Sequence, residues 1–104
     1  MLTPKQKRKL DRKFSKRILE RDDRICQWCG KKDGKKDTAH LIPRGFIPLR
    51  YNECNAVCLC FRCHQVLWHN NPLLAVAWIR TLLGNAICDE LIKIESINRK
   101  TQPI

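Results

Sequence analysis

Cys26-Gln27-Trp28-Cys29 and Cys60-Phe61-Arg62-Cys63-His64 are two Cys-x-x-Cys knuckles with thirty residues between them, and their pairing decides how the chain folds. A thiolate pair at each end of one long loop can close a tetrahedral four-sulfur zinc site. Between the pairs lie Asp37, His40 and Asn55, and His64 follows the second pair directly. A metal staple is useful in a chain of 104 residues, near the lower end of the length at which one hydrophobic core suffices. Cys54, Cys58 and Cys88 are surplus thiols, expected as small buried hydrophobes. Cys58 is the nearest competitor for the metal, since it lies two residues before Cys60.

Seven cysteines, and a start in which Pro4 is followed by Lys5, Lys7, Arg8 and Lys9 instead of an apolar run, predict no secretory leader and a reducing, cytoplasmic location. The longest apolar run, Leu73 to Ile79, is far short of the roughly 20 residues that span a bilayer, so no membrane partner is expected. The formal charge is +11; four thiolates on one zinc change it by −2, leaving about +9. Ten of the 21 Lys and Arg fall in residues 1–24, against four acidic residues there. A polyanion is therefore the expected partner, held by phosphate neutralisation that is independent of sequence and weakened by salt. Lys5, Lys9, Lys13, Lys16 and Arg17 are the expected contacts on this segment.

Thr3-Pro4-Lys5-Gln6 fits a capping box and predicts a helix from Pro4 to about Glu20, with Leu10, Phe14 and Ile18 on its apolar stripe. Residues 37–42 read as a strand ending before Pro43, and residues 56–59 as a second. The Cys60 knuckle then turns into a helix carrying His64. Asn71-Pro72 predicts a helix to about Leu83, stopped by Gly84, and residues 86–98 a last one. The helix over 72–83 is apolar on almost every side, which suits either a buried element or a homodimer surface. The whole is one domain, 1–104, of α+β class: a basic N-terminal helix (1–24), a zinc-stapled core (25–70) and C-terminal helices (71–104).

Asp37-Thr38-Ala39-His40-Leu41-Ile42-Pro43-Arg44, Asn55 and Leu59-Cys60-Phe61-Arg62-Cys63-His64 together resemble the HNH endonuclease pattern of the cysteine-containing kind, over roughly residues 26–69. Within that family, the stretch from His40 through Arg44-Gly45, Pro48, Arg50-Tyr51 and Asn55 to Cys63 is most similar to NinG-like phage recombination endonucleases. The resemblance implies a small ββα-metal, treble-clef-like core and hydrolysis of DNA phosphodiesters to a 5′-phosphate and a 3′-hydroxyl. It implies His40 as the general base, His64 as a ligand of a second cation, Mg2+ or Mn2+, and Asn55 as the residue that positions the His-bearing loop or adds a ligand. Double-stranded or branched, recombination-intermediate DNA would be the substrate, and host cytoplasm the location of a phage-encoded chain.

The chain departs from the commonest pattern at Ala39, where an Asp often serves as ligand; Asp37 is the expected substitute, at an offset that NinG-like sequences share. Arg44, Arg50 and Arg62 surround the site in sequence, and guanidinium groups suit bidentate phosphate binding. His69 is set aside as peripheral, because five residues from His64 on a regular helix is a rotation of about 140°. The rival reading is a non-catalytic zinc-ribbon nucleic-acid-binding module, which would not need the His40, Asn55 and His64 set.

Overall fold

The first helix begins where its cap signals place it. Thr3 accepts from the N–H of Gln6, and the Gln6 side chain accepts from the N–H of Thr3. Pro4 then opens α1 (Pro4–Arg21) in the computed structural model, which describes residues 2–100. Residues 101–104, assigned above to the C-terminal segment, lie outside the described residues. Phe14 and Ile18 are buried, but Leu10 is 36% exposed and leaves the expected stripe. Its place is taken by Asp11, because this part of α1 faces the polar loop bearing Arg50 and Tyr51. At the other end, Arg21 donates to the carbonyls of Glu53 and Ala56, and the Asp22 carboxylate accepts from the N–H of Cys58. These bonds tie α1 to the second strand.

β1 (Lys36–His40) and β2 (Ala56–Cys60) pair antiparallel, with His40 opposite Ala56 and Asp37 opposite Leu59. Side chains alternate across this two-stranded sheet. Thr38 and His40 turn to α1, where Ser15 bonds Thr38 at 2.8 Å and the Phe14 ring lies 5.6 Å from that of His40. Ala39, Val57 and Leu59 pack on the other side with Cys26, Cys60, Cys63 and the three tryptophans. β1 stops short of the expected 37–42 for a specific reason. Both backbone groups of Ile42 bond to the side chain of Asn55, which ends the ladder and turns the chain toward Pro43.

After the second knuckle the chain departs from expectation. Cys63–Trp68 forms a π-helical turn in place of a regular α-helix, closed by the bond from His69 N–H to the His64 carbonyl at 3.2 Å. α2 (Pro72–Leu83) is capped by Asn71 and stops at Gly84, whose φ of +87° favours glycine. α3 (Asn85–Lys100) follows at once. α2 buries Ala75 and Ile79, while Leu73, Leu74, Val76 and Leu82 stay exposed. Trp78 stacks on Trp28 with ring centroids 4.6 Å apart and planes 6° from parallel, and Trp68 meets it edge-on at 6.3 Å. α3 lays Leu91 against Ile42, Phe46 and Leu49.

The α+β class is thus present, built on three small apolar clusters. At roughly 1.5–3 kcal/mol for each fully buried large side chain, such clusters are a modest core for a chain of this size. No helix among the described residues is long and apolar enough to cross a membrane.

Candidate functional site

The knuckles bring four sulfurs together. Those of Cys26, Cys29, Cys60 and Cys63 lie within 4.8 Å of one another and can hold a metal ion. In each knuckle the backbone folds back so that an N–H points at a sulfur, Cys29 N–H to Cys26 Sγ and Cys63 N–H to Cys60 Sγ, both at 3.5 Å. Gly30, at φ +80°, provides the left-handed residue that completes the first turn. Burial pushes the Cys26 thiol up, but backbone N–H groups of Cys29, Cys60 and Trp28 outweigh it and bring the thiol down to about 7. Burial pushes Cys63 up, and its sulfur neighbours push the same way. Crowded thiols of this kind suit a cation that takes them as thiolates. Cys58 is buried outside the group; burial and then the Asp22 charge raise it to about 11. Its competition for the metal therefore fails on geometry.

A second feature is a cleft of about 630 Å³ between α1, β1 and the π-helical turn, lined by Asp11, Ser15, Asp37, His40, Arg44, His64 and His69 among others. His40 and His64 thus share one cavity. His40 is half-buried against Phe14, and its Nε2 lies 2.9 Å from the carbonyl of Arg50. A carbonyl only accepts, so Nε2 carries the proton and Nδ1 of the neutral ring keeps its lone pair. Burial holds this imidazole below its usual range, and the charges of Arg44 and Arg50 push the same way, against the Arg50 carbonyl.

Asn55 contacts no open space. It is fully buried, accepts from the Ile42 N–H at 2.8 Å and donates to the carbonyls of Ile42 and Leu49, both at 3.0 Å. Its carbonyl oxygen and amide are thus engaged with loop backbone, and it does not line the cleft. This one side chain ties together both ends of the loop from Ile42 to Leu49, which carries Arg44.

Asp37, expected as a ligand, places Oδ2 at 3.2 Å from Nδ1 of His64. His64 Nε2 in turn lies 3.2 Å from Nε2 of His69, with ring centroids 4.8 Å apart. The expected rotation of His69 away from His64 assumes a regular helix, and the helix here is not regular. A bond from residue i to i+5 widens the turn, and the two imidazoles that a regular helix would splay apart become neighbours. No residue type in the segment announces that turn.

The arginines divide. Arg50, expected on phosphate, is instead held by Asp11 through Nε at 2.9 Å and Nη2 at 2.6 Å and by the Arg44 carbonyl through Nη1, leaving its side chain 14% exposed. With three of its five N–H groups engaged, it ties the His40 loop to α1. Arg44 and Arg62 are exposed, as are Lys5, Lys9, Lys13, Lys16 and Arg17. Arg17 also reaches Glu53 at 3.2 Å and Lys16 reaches Glu20 at 4.0 Å, surface pairs of small energetic weight. Asp11 went unnoticed in the sequence, although it is the one acid in residues 1–19. No family model matches the chain, and no curated protein and no solved structure matches it.

Proposed function

We propose that the chain is a metal-dependent DNA endonuclease of the HNH, ββα-metal type, with zinc in the cluster of Cys26, Cys29, Cys60 and Cys63 as its structural staple. The observation that carries this reading is the state of His40: Nε2–H committed to the Arg50 carbonyl, Nδ1 basic, and the ring in one cleft with His64, Asp37 and Arg44. A ring held neutral near pH 7 can take a proton from water, the step a general base performs on the attacking nucleophile. Arg44 stands exposed at the cleft and offers a guanidinium to a backbone phosphate. His64, beside Asp37, would hold a divalent cation, Mg2+ or Mn2+, whose charge would act against the phosphate oxygens and the departing 3′-oxygen. The products would be a 5′-phosphate and a 3′-hydroxyl. The exposed lysines of α1 add affinity for double-stranded or branched DNA without selecting sequence.

The test incubates the zinc-loaded protein and His40→Ala with supercoiled plasmid and with a four-way junction, in Mg2+ or Mn2+, while zinc content and DNA binding are measured in parallel. The variant should keep zinc and DNA binding and lose cutting. Equal cutting by both removes His40 from the reaction. Binding without cutting by the unmodified protein, on every substrate, gives the chain to the zinc-ribbon binding module instead.

A further inference from the structure

The π-helical turn places two imidazole nitrogens where one cation can be shared. We infer that His64 and His69, both through Nε2, form a metal-binding pair, and that Asp37 orients His64 without touching the ion. The inference rests on the nuclease reading only for what the cation does, not for where it binds.

Three observations carry it. His64 Nε2 and His69 Nε2 are 3.2 Å apart; two nitrogens each about 2.1 Å from one ion stand this far apart at an angle of about 100°. The separation fits common ligands of a transition metal.

Second, the tautomer of His64 is set from behind. Asp37 Oδ2, 3.2 Å from Nδ1, is an acceptor, so the proton belongs on Nδ1 and the lone pair on Nε2, toward His69. The Gln65 amide also approaches Nδ1, at 3.4 Å, but it is exposed and farther away, and the anion decides. Carboxylate on one imidazole nitrogen and metal on the other is the usual arrangement of a ligating histidine. Third, the pair exists only because the backbone bond runs from His69 N–H to the His64 carbonyl. This wider turn is rare and is found mostly at functional sites.

Two nitrogen donors favour Co2+, Ni2+ or Zn2+ over Mg2+, which takes oxygen, and Mn2+ serves as the paramagnetic probe. The cleft supplies further open positions for water and phosphate.

The experiment titrates Mn2+ into the zinc-loaded full chain and follows free Mn2+ by electron paramagnetic resonance, with zinc content and circular dichroism as checks on the fold. The unmodified protein should bind one Mn2+. His64→Ala and His69→Ala should each weaken it by more than Asp37→Asn, which should lose the roughly 10–100-fold typical of an outer residue. His69 is exposed, so its removal should not disturb folding, and His69→Gln serves as a second variant. Unchanged Mn2+ affinity in both His69 variants overturns the inference, as does loss of binding in Asp37→Asn equal to that in His64→Ala. If Mn2+ binds as expected but no DNA is cut, the pair stands and the nuclease reading falls. If DNA is cut while His69→Ala binds Mn2+ normally, the reverse holds.

Discussion

The carbonyl of Arg50 sits 2.9 Å from Nε2 of His40, so an arginine acts on this imidazole through its backbone as well as through its charge. Its guanidinium points away to Asp11, on α1, and Tyr51 adds a third bond to the same carboxylate at 2.9 Å. The basic helix therefore reaches the His40 imidazole directly through Phe14 and also through one acid, one arginine and one peptide group.

Asp11→Asn should loosen that chain of contacts. The bond to Arg50 holds the carboxyl below its ordinary range, so its stabilising effect is complete above about 3.8 and fades as pH falls through the lower folded value. At neutral pH the variant should lose about 1–3 kcal/mol by urea denaturation, the scale of charge-assisted hydrogen bonds. Cutting should slow while zinc content holds. A stability equal to the parent protein would show the pair to be idle.

His40 makes a second pH prediction. Its folded imidazole lies below the ordinary 6.5, chiefly through burial, so unfolding takes up a proton in acid. Stability tied to the neutral ring is therefore full above 6.5 and is lost as pH falls through the folded value. Urea midpoints at about pH 7.5 and 5.5 should fall further in the parent than in His40→Ala, with thiol protonation acting on both alike. Equal falls would place the titration elsewhere.

Asn55→Ala should be the most damaging single change in the loop. It strands the N–H and C=O of Ile42 in a buried place and removes one of the two bonds to the C=O of Leu49, which keeps that from the Asn52 N–H. A cost of about 3 kcal/mol or more is expected from such unpaired groups. Chemical denaturation measures it, and a cost below about 1 kcal/mol would mean that water replaces the amide.

Changing Lys5, Lys9, Lys13 and Lys16 together to Gln should weaken DNA binding and flatten its dependence on salt, by about 0.9 in log–log slope for each phosphate contact removed. Arg50→Gln should leave that slope alone, because its charge is paired with Asp11 and three of its N–H groups are held by Asp11 and the Arg44 carbonyl. Fluorescence anisotropy over a salt series separates the two.

The sulfur cluster, the helix starts and the two strands were legible because each depends on local chemistry: Cys-x-x-Cys spacing, Thr-Pro and Asn-Pro caps, and β-rich runs bounded by turns. His40, His64 and Arg44, expected together from spacing and resemblance, do line one cleft, whereas Asn55 is buried beside it. What was hidden depends on contacts between distant segments. Asp11 and Arg50 are 39 residues apart, so nothing local marks Arg50 as engaged. The partner of His64 was concealed by geometry, since spacing rules assume a regular helix and the turn from Cys63 to Trp68 is wider. Leu10 shows the converse: its periodicity was right for burial, but the surface opposite that turn is polar.

The indole of Trp28, set between two of the cysteines and laid flat on Trp78, would couple an ion held by that cluster to α2. Chelation would free the first knuckle, and with it the ring against which α2 rests. Tryptophan emission thus becomes an optical gauge of metal occupancy, and oxidation of these thiols would be felt at the far end of the molecule.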